Sequence, residues 1–155
     1  MYGTLIPSAL DPSLFVSELR CRRKDSALAE LVVCAERAGI LRHPDAVRAA
    51  LAHRESLGTS SPGRGIAVPS VRSLAVLESR VLVARSRRGL DWEAPDGEPV
   101  HVVALLLSPA ECPAAAHVES VARLVAILRP QRQRQRVLEA ESFEAIAALL
   151  REALS

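Results

Sequence analysis

Arg54-Glu55-Ser56-Leu57-Gly58-Thr59-Ser60-Ser61-Pro62-Gly63-Arg64-Gly65-Ile66-Ala67-Val68-Pro69-Ser70-Val71-Arg72 is a turn-rich loop that runs into a short apolar strand. Gly58, Gly63 and Gly65 let the backbone adopt positive φ or approach a neighbour closely. Ile66-Ala67-Val68 then reads as a buried strand stopped by Pro69, which has no N–H to give to a ladder. Ser70 is expected just past that strand end, a place where folds commonly put their chemistry.

Working outward, the helix that feeds the loop begins at His43-Pro44, with proline suited to a first helical position, and runs to about Leu57. Val47, Ala50 and Leu51 form its apolar stripe, and Arg54 falls on its last turns beside the loop's backbone N–H groups. A guanidinium next to exposed amides suits an anion. A surface arginine at a helix C-terminus is equally what the helix dipole favours. An earlier helix spans about 26–38, with Asp25-Ser26 as the expected N-cap, Leu28, Leu31, Val32 and Ala35 at helical spacing, and Gly39 as the stop. Before it, residues 1–13 read as a lead-in with little regular structure, and Phe15 to Leu19 as a short edge strand followed by the solvated basic run Arg20 to Lys24.

After Ser70, Leu74 to Leu77 and Arg80 to Arg85 are two β-type pieces, or one bent strand. Gly89 to Val100 is a turn-rich excursion in which Asp96-Gly97 suits a hairpin turn. Val100 to Leu107 is almost unbroken aliphatic sequence, as expected of a strand covered on both faces, and Ser108-Pro109 ends it. His101 at its start reads as a half-exposed strand residue. A helix over about 114–128 follows, with Val118, Val121, Ala122, Val125 and Leu128 on one face and Pro130 beyond it. His117 lies in its first turn, where the dipole disfavours an imidazolium; taken alone it is an ordinary surface histidine. A short solvated helix from Gln131 ends near Ala140. Ser142 then caps a last amphipathic helix that buries Phe143, Ile146, Ala147, Leu150 and Leu154.

Two stretches resemble the fructose/mannitol/nitrogen-regulatory type of IIA domain of the bacterial phosphoenolpyruvate sugar phosphotransferase system. Its active-site segment has the form Arg-Glu, Gly, a Ser/Thr-Gly loop, then Gly-Ile-Ala-Ile-Pro-His. Arg54-Glu55, Gly58, Gly63 and Gly65-Ile66-Ala67-Val68-Pro69 fit it, with Ser70 where the family has its phosphorylated histidine. The second stretch, Gly89 to Val100, matches a Gly-Ile-Asp-Phe-Asp-Ala, a turn and a Pro-Val, with Trp92 in the aromatic place. The resemblance spans about residues 5–154 as one domain. It implies an α/β fold with a central mixed sheet of about five strands flanked by helices on both sides. It further implies Arg54 as the phosphate-stabilising residue, His117 as the second active-site histidine, and Gly58, Thr59, Gly63 and Gly65 as the binding loop.

In the family the active histidine takes phosphate from the carrier HPr and passes it to a IIB domain. Ser70 leads us to expect a regulatory module that binds protein partners and is not phosphorylated. HPr or a IIB-like domain would be its partner only if His117 or Ser70 carried phosphate instead. A Ser70/His117 hydrolase pair has only Glu55 and Glu119 as candidate third members and lacks a G-x-S-x-G elbow. No cofactor is implied.

Composition agrees with that reading. A chain of 155 residues, 49% apolar but only 3% aromatic, fits one domain with a core of Ala, Val, Leu and Ile. A formal net charge of +2, with no aromatic interleaved in the Gln131 to Arg136 run, argues against nucleic acid as a partner. The longest apolar run is strand-sized, so membrane insertion is not expected. Met1 to Pro7 has no basic and apolar leader pattern, and Cys21, Cys34 and Cys112 share no paired spacing, so reduced thiols in a cytoplasm are expected. Cys112 and His117 lack the further ligands a metal would need.

Overall fold

The aliphatic run from Val100 is the centre of the molecule. The computed structural model describes residues 5–154 and contains six helices and five strands among them: α1 (Leu5–Ala9), β1 (Leu10–Val16), α2 (Lys24–Arg37), α3 (Pro44–Leu57), β2 (Ile66–Ala67), β3 (Ser70–Ser73), β4 (Arg80–Leu90), β5 (Val100–Pro109), α4 (Ala114–Leu128), α5 (Gln131–Glu139) and α6 (Phe143–Leu154). One mixed sheet runs β1-β4-β5-β2, with β3 also on β5. The β4–β5 pair is antiparallel and the other pairs are parallel. Val102 to Ser108 are all buried, the pattern of a strand with helices on both faces.

Alternation along the strands divides the core in two. Ala67, Val71, Leu82, Ala84, Val103 and Leu105 pack with α2 and α3. Ile66, Val68, Val81, Val83, Ala104 and Leu106 pack with α1, α4, α5 and α6. This is the single α/β domain with helices on both sides that the resemblance implied.

Several local expectations need correction. The lead-in is not irregular: α1 precedes β1, which starts at Leu10 and ends at Val16; residues 1–4 lie outside the described residues. Pro12 is tolerated because β1 is an edge strand. The N-cap of α2 is Arg23, with no side-chain cap bond, while Asp25 sits in the first turn and accepts from the Ser26 amide at 2.9 Å. The stop at Gly39 takes the expected form: φ is +77°, the Gly39 amide bonds Glu36 O and the Ile40 amide bonds Ala35 O, a Schellman closure. Leu74 to Leu77 is not a strand but a turn, in which the Ser73 hydroxyl accepts from the Ala75 amide. The buried stripe of α4 is Ala116, His117, Ser120, Leu124, Ile127 and Leu128; of the expected face, Leu128 is buried and Val121 and Val125 pack half-buried against the same core, while Val118 and Ala122 are exposed. His117 and Ser120 are tolerated there because the hydroxyl of Ser108 and the carbonyl of Ala116 satisfy them.

Candidate functional site

Pro69 interrupts the edge strand without breaking its register. Ile66 lies opposite Val102, and Ser70 opposite Leu106, so β3 resumes the line of β2 after the residue that cannot donate. Ser70 therefore begins a strand instead of lying past the end of one. With a period of two it shares a face with Ile66 and Val68, the face covered by α4. It is 7% exposed, and its hydroxyl has no hydrogen bond to a described residue.

Two hollows meet at Ser70. The first, of about 290 Å³, is lined by Arg54, Gly58, Thr59, Ser60, Val121, Val125 and others of the loop. The second, of about 370 Å³, is lined by Ala50, His53, Arg54, Ser70, Val71, Arg72, Ala114, His117 and Val118. The structure thus brings Arg54, Ser70 and His117 to one opening, and adds Gly58 and Thr59 on the other side of Arg54. Gly63 and Gly65 line neither hollow.

Those two glycines shape the loop. Gly63 has φ +93°, and a Cβ there would lie 2.7 Å from Asp96 Oδ2. Asp96 accepts from the Arg64 amide at 2.8 Å and from the Glu98 amide at 3.1 Å. These bonds hold its carboxyl below the usual carboxylate range. Gly58 has φ 167°, ordinary extended backbone, so it needs no glycine on that ground.

The loop also uses much of its own backbone. The Ser60 amide donates to the carboxylate of Glu55 at 3.1 Å, the Ser61 amide to Thr59 Oγ1 at 3.2 Å and the Gly63 amide to Ser61 Oγ at 3.1 Å. Glu55 in turn lies 3.3 Å from the ammonium of Lys24. Trp92 Nε1 donates to Ser60 Oγ at 3.0 Å. The amides of Ser60, Ser61, Gly63 and Arg64 are therefore committed within the fold, and anion chemistry at the opening falls to side chains.

His117 is 7% exposed and so is not a surface histidine. Its Nδ1 lies 2.7 Å from the buried hydroxyl of Ser108, which fixes the ring. Burial lowers its pKa, and the guanidinium groups of Arg54 and Arg72 lower it further; the ring is neutral at pH 7. Arg72 is anchored by Nε to Cys112 O at 2.6 Å and by Nη2 to Ala110 O at 3.0 Å. The sequence reading missed Arg72 and Ser108. The first had a signal: Ser70 and Arg72 are two apart on a strand and share a face. The second comes from pairing between distant segments and leaves no local pattern.

Among the described residues no carboxylate orients His117. Glu55 serves Lys24 and Ser60, and Glu119 pairs with Arg123 at 3.1 Å, so a catalytic triad has no third member here. Among the described residues no group of three or more His, Cys, Asp or Glu is placed to hold a metal, and no helix is long and apolar enough to cross a membrane.

Fold and opening together define a class: α/β domains that present arginine and histidine side chains at the broken edge strand of a mixed sheet. The chain belongs to the phosphoenolpyruvate-dependent sugar phosphotransferase system EIIA 2 family, whose model matches residues 8–153. It is 34% identical over 146 residues to a nitrogen regulatory protein of Bradyrhizobium diazoefficiens, covering 94% of each chain. It is 31% identical over 132 residues to the fructose-specific EIIABC component of Bacillus subtilis, covering 85% of this chain but only 21% of that protein. The chain thus spans about a fifth of that larger relative. Among solved structures, the nitrogen regulatory protein IIA-Ntr from Neisseria meningitidis superposes with a TM-score of 0.86 at 28% identity, over 95% of this chain and 99% of that one.

Proposed function

We propose that this protein is a regulatory, protein-binding member of its family that does not carry phosphate at Ser70. The observation that carries the reading is the residue itself: a hydroxyl occupies the junction of the two hollows, between Arg54 and His117, where the resemblance expects the phosphorylated histidine. A serine hydroxyl is un-ionised at neutral pH and needs a base to attack phosphorus. A phosphate ester on Ser70, once formed, would be a poor donor for onward transfer, whereas a phosphoramidate is a good one. Family members whose phosphorylation changes their contact surface act by added charge; this chain would stay in the unmodified state and bind its protein partner in that state.

The experiment is phosphotransfer from labelled phosphoenolpyruvate through enzyme I and HPr. The expected result is no phosphohistidine on this chain, and gain of label by Ser70→His. Stable label on a histidine of the native chain overturns the reading. A second reading, in which His117 is the carrier, is favoured by its neutral ring at the opening. Label that disappears in His117→Gln would establish it.

A further inference from the structure

A third hollow, of about 700 Å³, lies between the start of α2 and the end of α3, and Ser70 does not line it. Its volume falls within the range of about 300–1,000 Å³ found for clefts that take small molecules. We infer that this hollow binds a free basic α-amino acid of the lysine or ornithine class, with its carboxylate at Arg48 and its ammonium groups at Glu93 and Asp25. The inference is independent of what happens at Ser70.

Both helices line the hollow with small residues, Ala29 and Ala52, which leave space that larger side chains would fill. Buried Leu28 adds apolar surface for the methylene chain of a ligand. The charged lining selects the rest. Lys24 and Arg48 supply two cations, and Asp25, Glu55 and Glu93 three carboxylates. Lys24 and Glu55 pair at 3.3 Å, and both side chains are largely withdrawn from solvent. What remains is one cation against two carboxylates, and the complement of that set is a short apolar chain with one carboxylate and two ammonium groups. Arg48 is exposed and has no ion pair or hydrogen bond among the described residues; its guanidinium suits a carboxylate. Asp25 is held only at 4.0 Å by Arg23, and Glu93 only at 3.7 Å by Lys24, with both carboxylates mostly exposed. Independently, Glu93 is one of two non-glycine residues with positive φ among the described residues, at +59°. Side chains avoid that region, and such strain persists where the placement has a use. Here it brings a carboxylate to the hollow, where glycine would hold the same turn without strain. Glu55 puts the hollow next to the loop, because it also lines the first hollow and accepts from the Ser60 amide. A ligand that draws Glu93 away from Lys24 therefore alters the ion pair on which that loop bond depends. No covalent bond forms or breaks on binding.

The test titrates the isotope-labelled intact protein with L-lysine and with L-ornithine, followed by amide chemical shifts and by calorimetry. Saturable shifts should appear within residues 24–29 and 48–56 and at the Ser60 amide, with a dissociation constant of about 1 mM or lower. L-Glutamate, of opposite net charge, and cadaverine, which lacks the carboxylate, should each bind at least about tenfold more weakly than lysine. Arg48→Gln should weaken lysine by a similar factor and leave cadaverine no weaker. Glu93→Gly, which removes the carboxylate at a φ that glycine tolerates, and Ala52→Leu, which fills the space, should also weaken lysine. Thermal melts of the three variants separate loss of binding from loss of fold. No saturation by about 20 mM lysine or ornithine overturns the proposal. So do saturable shifts confined to other residues, cadaverine binding as tightly as lysine, or lysine affinity unchanged in both Arg48→Gln and Glu93→Gly. Binding that leaves the Ser60 amide unmoved overturns the link to the loop.

Discussion

Arg85→Met should cost this protein about 3 kcal/mol, because one buried guanidinium ties three parts of the chain together. Arg85 belongs to β4 and is 9% exposed. Its Nε donates to Ser17 O at 3.1 Å, just beyond edge strand β1. Its Nη1 donates to Val137 O at 3.0 Å and Ala140 O at 2.7 Å, at the C-terminal end of α5. The same group lies 5.1 Å from the ring centroid of Phe15, which packs tilted against Phe143 of α6. Hydrogen bonds from a charged donor contribute roughly 1.5–3 kcal/mol each, but one guanidinium serving all of them is not additive. Methionine keeps the apolar volume and removes the donors, leaving helix-end carbonyls that water reaches only in part. Since each kcal/mol moves the melting point of a domain this size by about 2–4 °C, the drop should be about 6–12 °C. Urea unfolding followed by far-ultraviolet circular dichroism should show a lower midpoint with an unchanged slope. Arg85→Lys, a point charge that cannot span Ser17 and Ala140 together, should recover less than half. If Arg85→Met stays within about 1 kcal/mol of the native protein, the clamp contributes no more than an average residue and the reasoning fails.

Gly63→Ala forces a Cβ against Asp96 at φ +93° and should cost about 1–2 kcal/mol. Gly58→Ala, with φ 167° and nothing within 4 Å, should cost under about 0.5 kcal/mol in the same melts; equal losses would show that φ is not what selects glycine at position 63. Lys24→Met strips the counter-ion from Glu55, whose side chain is only 6% exposed, and should speed hydrogen exchange of the Ser60 amide at least tenfold. Unchanged protection there would mean that Glu55 holds the loop unaided. His117 has a folded-state pKa below its unfolded value, so the unfolded chain takes up the proton first as pH falls below about 6.5. Its contribution to stability is complete above that pH and declines beneath it; His117→Gln should flatten that part of the stability-versus-pH curve, which is read from urea midpoints.

What the sequence made legible was whatever local chemistry determines alone. Gly39, Pro44, Pro130 and Ser142 punctuate helices sharply: α2 ends before the first, α3 begins at the second, α4 ends before the third and α6 begins after the fourth. The aliphatic run of β5 announced a covered strand. Two of the misreadings share a cause, that partners distant in sequence override local pattern. Pro69 looked like a terminus, yet the β5 ladder carries the strand through it to Ser70 and onward. Valines at 118, 121 and 125 looked like a buried stripe, yet they border the two hollows while His117 and Ser120 face inward with their own partners. At the site, Arg54, Ser70 and His117 were recognisable by residue type and likeness. Arg72 and Ser108 acquire meaning only when β3, β5 and α4 are assembled side by side.

The protein has a single tryptophan, and that indole is fully buried with its N–H held by Ser60, a wall residue of the hollow beside Ser70. Its emission is therefore an intrinsic reporter of the loop's position. Any partner that shifts Ser60 changes the polarity and quenching around one indole, with no second tryptophan in the chain to compete. Docking at this opening can be followed in real time on unlabelled protein, by stopped-flow fluorescence, against partners that contain no tryptophan of their own.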